Sequence, residues 1–253
     1  MTASQETLFI SDLHLSVQRP DTLELFKRLL QGPARQASAL YILGDLFDEF
    51  WLGEDDRTPP NTDIISELLE FSRSGTKLYF LRGNRELVLD QSFTGLSGCV
   101  LLPDQALIEV DGKKVLIMHG DLLCSDDRKY QAFRRFVECP PVKKTFTCLP
   151  LRLRTMLSRG LKPAMQKSKM QKAEAIMDVN PSTVDAVMRA HQVTELIHGH
   201  THRPGIHDFE LHGTPARRIV LGDWYEGCQI LVCKGQEREL IGVSEYLRQR
   251  QAG

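Results

Sequence analysis

Short apolar runs recur along the chain, and the same kinds of residue stop each one. Leu8-Phe9-Ile10 leads into Ser11-Asp12-Leu13-His14, and Leu40-Tyr41-Ile42-Leu43 leads into Gly44-Asp45-Leu46-Phe47-Asp48. Leu78-Tyr79-Phe80-Leu81 leads, after one arginine, into Gly83-Asn84-Arg85-Glu86. Val115-Leu116-Ile117-Met118 meets His119-Gly120-Asp121, and Leu196-Ile197 meets His198-Gly199-His200-Thr201-His202. Runs this short, bounded by turn residues, read as strands buried on both faces. Each then presents Asp, Asn or His at its carboxyl edge, where open α/β sheets bind their ligands.

The segments between the runs have helical spacing. Residues 21–30 place Leu23, Phe26, Leu29 and Leu30 on one face, with Asp21 as the expected cap, and 62–73 form a second amphipathic helix ended by Gly75. Strands at 8–10, 39–43 and 77–81 complete a β-α-β-α-β order, which implies parallel strands covered by helices. Residues 107–110 and 115–118 flank Asp111-Gly112 and predict a hairpin with a tight turn. From 128 to about 190 the pattern is helical, with breaks expected at Pro140-Pro141, Pro150, Gly160 and Pro163. Because this stretch separates two site-bearing strands, it reads as a helical cap inserted into the core. Residues 195–197, 205–211, 217–221 and 229–232 return to strand and are expected to close a second sheet.

A chain of 253 residues fits one core with an insertion. No apolar run nears the roughly 20 residues that span a bilayer, and no basic-then-apolar leader opens the chain, so no secretion signal is expected. Six scattered cysteines lack zinc-knuckle spacing and read as reduced thiols of a cytoplasmic protein. The net charge of −1 hides an asymmetry, since residues 125–172 carry thirteen Lys/Arg against three Asp/Glu. Such a basic stretch points to an anionic partner, with a solvated helical face as the plain alternative. No stacking aromatics are interleaved with the charges, so nucleic acid is not the expected partner.

Asp12, His14, Asp45, Asn84, His119, His200 and His202 combine imidazole with oxygen donors, the set that suits Mn, Fe or Zn. Seven donors exceed one ion's needs and fit two ions that share a carboxylate. A pair of cations some 3.5–4 Å apart clamps the attacking and leaving oxygens of a phosphoryl group.

In order along the chain, D-x-H, G-D-x-x-D, G-N-x-[DE], H-G-D and G-H-x-H resemble the calcineurin-like metallophosphoesterase superfamily. The resemblance implies a four-layer α-β-β-α sandwich with a helical cap, the core spanning 1–124 and 191–253 and the cap 125–190. It implies one metal on Asp12, His14, Asp45 and His202, and a second on Asp45, Asn84, His119 and His200. Asp45 would bridge them, while Asp48 and Asp121 are expected to orient imidazoles.

Many superfamily members have His after the Asn, where it can protonate a leaving alkoxide. Arg85 stands there instead. A guanidinium cannot act as a general acid, but it grips phosphate oxygens in pairs. A leaving phosphate needs little protonation, so Arg85 favours cleavage of a phosphoanhydride. In the cap, residues 149–161 alternate Leu/Met with Arg. This suits a helix at a membrane interface or beside acyl chains, or else one packed on the core with its arginines outward.

Gly83-Asn84-Arg85, Met118–Tyr130, Ala175–Asn180 and Ile197–Pro204 together resemble one branch of the superfamily, the UDP-2,3-diacylglucosamine pyrophosphatases of lipid A biosynthesis. That branch implies hydrolysis to UMP and 2,3-diacylglucosamine 1-phosphate with two Mn²⁺, by a peripheral protein on the cytoplasmic face of the bacterial inner membrane. No protein partner is implied. By matching position, Asn84, Arg85, Asp127, Tyr130, Lys169, Lys172 and His200 would contact substrate, with Arg85, Asp45 and His200 at the reacting centre. Glu86-Leu87 depart from the branch's usual G-N-R-D-F. The loop after Asp48 is one residue longer, and Met165 and Lys169 replace smaller cap residues. Two alternatives remain at this stage: a soluble nucleotide anhydride or phosphodiester as substrate, and a scaffold without catalysis.

Overall fold

A computed structural model describes residues 5–171, 178–225 and 227–251. Among these residues eleven strands make two sheets. The first runs β11-β10-β1-β2-β3-β4, with β1 Thr7–Ile10, β2 Ala39–Ile42, β3 Lys77–Phe80, β4 Val100–Leu101, β10 Gln229–Lys234 and β11 Glu237–Gly242. The second runs β5-β6-β7-β9-β8, with β5 Gln105–Val110, β6 Lys113–Met118, β7 Glu195–His198, β8 Gly205–Leu211 and β9 Thr214–Val220. Strands β1 to β4 are parallel, as are β6, β7 and β9.

The period-2 geometry of a strand explains the layering. Leu8, Ile10, Leu40, Ile42, Leu78 and Phe80 face outward onto helices α1 (Pro20–Gln31), α2 (Asn61–Arg73) and α3 (Ser92–Ser97). Phe9, Tyr41, Ile117, Ile197 and Ile219 face inward and fill the space between the sheets. There Phe9 stacks on Tyr41 and Tyr41 on Tyr79, at 4.9 and 4.6 Å between ring centres, across adjacent strands in register. On the far side, Leu116, Met118 and Leu196 pack against Val184 and Met188 of α7 (Pro181–Ala190). The result is helices, sheet, sheet, helix: the α-β-β-α order expected.

Between β6 and β7 run α4 (Arg128–Glu138), α5 (Pro140–Cys148) and α6 (Leu151–Gln171) before α7. Several expectations need correction here. Gly160 and Pro163 do not break α6. A glycine costs only about 1 kcal/mol in a helix, and a proline removes one ladder bond without forcing an end. Helix α7 lies within the span expected as cap, yet its apolar side chains cover the second sheet. Asp21 sits in the first turn of α1 and does not cap it; Arg19 holds the cap position, with no side-chain bond. Strand β10 pairs antiparallel with β1, so it extends the first sheet and not the second. The sequence reading missed β4, β11, α3 and the last helix, α8 (Val243–Gln251).

Helix α6 also settles how its Leu/Met and Arg residues divide. Leu153, Met156, Leu157 and Leu161 are exposed, and the buried member is Arg154, which donates to the Leu52 carbonyl and to Asp55. Arg152 and Arg159 are exposed beside those apolar residues, so the helix does not pack its Leu/Met side on the core with only arginines outward.

Candidate metal centre

Five strands deliver their carboxyl ends to one place. The β1 and β2 edges run on side by side, with Asp12 N donating to the Gly44 carbonyl at 3.0 Å and His14 N to the Asp45 carbonyl at 2.9 Å. The β6 and β7 edges meet through Gly199 N and the His119 carbonyl at 2.7 Å. Asp12, His14, Asp45, His200 and His202 all have φ between +46° and +70°. Non-glycine residues seldom adopt this region, and its clustering here marks a functional edge. Close approach explains the glycines: a Cβ on Gly83 would lie 2.3 Å from Asp45 Oδ1, and one on Gly199 2.2 Å from Asp12 Oδ2.

The donors converge. Asp45 stands between two imidazoles, its Oδ2 3.7 Å from His14 Nε2 and its Oδ1 3.7 Å from His119 Nε2. His202 Nε2 lies 3.3 Å from Asp12 Oδ1, Asn84 Oδ1 3.3 Å from His119 Nε2, and His200 Nδ1 3.2 Å from the same nitrogen. One donor atom each from Asp12, His14 and His202 falls within 4.8 Å of the others, and so does one each from Asp12, Asp45 and His119. Both ring nitrogens of buried His14 have no hydrogen bond. Buried polar atoms are nearly always bonded. An unbonded imidazole within a convergent set of Asp, Asn and His donors is what cations of the Mn, Fe or Zn kind take.

Burial and mutual charge act strongly on these groups. Burial disfavours the charged form of His119, but Asp45, Asp12 and Asp121 outweigh it and hold the imidazole up at about 8. His202, against the same penalty, is raised to about 9 by its bonds to Asp12 and Asp223. Burial and the nearby His119 push His200 down to about 4. Asp12 is burdened by burial, yet the histidines around it keep its carboxyl well below the usual range.

The family profile of the calcineurin-like phosphoesterases matches residues 6–204, well over half of the chain. The chain is a calcineurin-like phosphoesterase. Its relatives include a UDP-2,3-diacylglucosamine hydrolase of Aeromonas hydrophila, 46% identical over 234 residues that cover 92% of this chain and 97% of that one. Proteins of the same name from Serratia proteamaculans and Escherichia coli are 45% and 44% identical, covering 89% and 93% of this chain and 94% and 98% of theirs. The phosphoesterase family works with a dinuclear metal site, and the Asp/His cluster is suited to hold metal.

Other site residues of this phosphoesterase fall into place differently. Arg85 borders the cluster, Nε 4.0 Å from Asp45 Oδ2, with its side chain about a quarter exposed. Tyr130 donates to Asp121 Oδ2 at 2.5 Å and sets its ring 6.3 Å from that of His200. Asp127 caps α4 by accepting from Tyr130 N at 3.1 Å. The Lys169 side chain and all of Lys172 lie outside the described residues. Asp48 and Asp121 do not orient imidazoles. Asp48 accepts from Tyr225, and Asp121 from Tyr130 and Arg134. The groups that fix ring orientation are the Leu43 carbonyl, 2.8 Å from His119 Nδ1, and Asp223, 2.7 Å from His202 Nδ1.

Asp223 and Tyr225 escaped the sequence reading, and Glu86 entered it only as part of a motif, without its structural role. Asp223 follows a strand as the other site acids do, and that placement was its only signal. Tyr225 stands 5.2 Å from the His14 ring, with Arg19 over its own ring at 3.9 Å. Glu86 is fully buried and accepts from the amides of Asp45, Phe47 and Gly83, so it shapes the loop under Asp45. Burial beside Asp45 raises it to about 7.

Proposed function

We propose that this phosphoesterase hydrolyses the diphosphate of UDP-2,3-diacylglucosamine, releasing UMP and 2,3-diacylglucosamine 1-phosphate for lipid A biosynthesis. The observation that carries this is Arg85 beside a convergent Asp/His cluster, in a chain 44–46% identical along its length to hydrolases of that name. Asp12, His14, Asp45 and His202 would hold one Mn²⁺, and Asp45, Asn84, His119 and His200 would hold the other. When bound, such a pair polarises phosphoryl oxygens and supplies hydroxide near neutral pH.

The chain's own groups do the rest. Arg85 Nε is buried, 4.0 Å from Asp45 Oδ2 and without a hydrogen bond, and its guanidinium would grip the diphosphate and neutralise charge that grows on the leaving phosphate. Asp45 and His200 complete the reacting centre. Tyr130, Asp127, Lys169 and Lys172 contact the nucleotide, the diphosphate or the sugar, with Asn84 and His200 among them.

The cap receives the acyl chains. Exposed Phe136, Leu153, Met156, Leu157 and Leu161 support this, as does an apolar groove of about 350 Å³ lined by Pro141, Val142, Thr145, Phe146 and Leu149. Among the described residues no helix is long and apolar enough to cross a membrane. An apolar face with Arg152 and Arg159 beside it suits peripheral attachment to an anionic inner-membrane surface. Assaying UMP release from acylated and deacylated UDP-glucosamine tests the reading. Acylated substrate should turn over at least about 100-fold better, roughly 2.7 kcal/mol; equal rates would return the soluble anhydride as substrate.

A further inference from the structure

Helix α4 turns one face toward the metal loop. Tyr130, Arg134 and Glu138 recur every fourth position, so they stack along one side of the helix. Arg134 is the most occupied of the three. Its Nε donates to Asp121 Oδ2 at 2.8 Å, its Nη1 to Glu138 Oε2 at 2.8 Å and its Nη2 to Asp104 Oδ2 at 2.9 Å. Arg82 joins the cluster by donating to Asp104 Oδ1 at 2.7 Å. The Arg134 side chain is 6% exposed and that of Asp121 2%.

Simple helix anchoring needs only one of these bonds. Arg134 instead spends separate donors on three elements: its own helix, the loop before β5, and the turn just after His119. The Asp121 oxygen that accepts from Arg134 Nε also accepts from the Tyr130 hydroxyl. Tyr130 in turn lies at 28° to the His200 ring. A planar guanidinium with fixed donor directions can define such an arrangement, where an ammonium cannot.

We propose that Arg134 is a positioning residue for the reaction: by holding Asp121 it fixes the Tyr130 ring beside His200 and so sets how α4 meets the substrate. The proposal rests on the function given above. It accounts for a charged cluster on a helix whose other outward residues are solvated, and for the shared acceptor on Asp121. Arg134 touches no reacting atom; it acts through its neighbours.

A double-mutant cycle tests it. Arg134→Lys keeps the positive charge among the three carboxylates, so the protein still folds, but an ammonium cannot meet all three acceptors in the same plane. In the full chain loaded with Mn²⁺, Arg134→Lys should lower kcat/KM for UMP release roughly 30-fold, about 2 kcal/mol. In a Tyr130→Phe background, where the shared bond is already gone, the same change should cost less than about threefold. Metal content should stay at the parent value. Equal losses in both backgrounds, or a loss that follows metal content, would overturn the proposal. Hydrogen exchange gives a readout independent of the substrate: Arg134→Lys should expose amides of 119–123 and 128–132 together. If the parent protein releases no UMP, the functional reading fails on its own, and exchange decides for Arg134; unchanged protection in both segments would rule it out.

Discussion

At the amino-terminal end of the parallel strands, Glu195 of β7 accepts from Lys113 Nζ and from Arg238 Nε, both at 2.7 Å. Arg238 comes from the first sheet, so the pair ties the two sheets together, with both side chains at 3% exposure or less. At the other end of the parallel strands the buried polar groups are less completely satisfied: both ring nitrogens of His14 have no hydrogen bond, and the backbone is left-handed at five site positions. A buried ion group serving only the fold has its atoms paired, because an unpaired one is costly. The carboxyl edge carries that cost and leaves donors free for something outside the chain. The difference distinguishes a structural charge cluster from a functional one within one protein.

Changes at each end should separate cleanly. Asp45→Asn, at the carboxyl edge, should cut hydrolysis roughly 10³-fold, about 4 kcal/mol, and lower bound manganese per chain. Metal analysis beside the UMP assay reads both. Retention of metal and activity would show that Asp45 is not shared between cations.

Glu195→Ala should do the reverse. Leaving buried Arg238 unpaired should cost about 3–5 kcal/mol, a fall in Tm of roughly 6–20 °C for a chain of this size. Activity at 25 °C and metal content should stay within about twofold of the parent. A loss of metal in this variant would break the contrast between the two ends.

The smallest effect is protonic. Without metal, His119 at about 8 and His202 at about 9 both hold protons at pH 7. A cation must displace them, so uptake at pH 7 should release about two protons, and affinity should fall as pH falls. Above about pH 9 the dependence should level off. Titration calorimetry in buffers of different ionisation heat counts the protons. No release would mean that these imidazoles are already neutral.

Much of this was legible in the order of residues. Doubly buried strands need continuous apolar side chains, so β1, β2, β3, β6 and β7 announced themselves, and the Asp, Asn and His that end them fell on one edge because parallel strands share a direction. The Asp-Gly turn of the β5–β6 hairpin was equally local, with φ of +50° and +80°. What depended on distant approach was not legible. Period-2 patterning says that 229–232 is a strand but not which sheet it joins. Asp48 and Asp121 have the right chemistry to orient imidazoles, and only packing gave that task to Asp223 and the Leu43 carbonyl.

The sequence by itself therefore determined the strands, the five edge motifs, the family they belong to and the donor set, because backbone periodicity and side-chain chemistry are local properties. Tertiary structure alone decided which donors face one another, that Glu86 lies beneath the Asp45 loop, that α6 turns its apolar side outward, and that Arg134 joins helix to metal loop. Those outcomes depend on distances between segments far apart in the chain, and burial makes such distances matter by removing the water that would otherwise satisfy each charge alone.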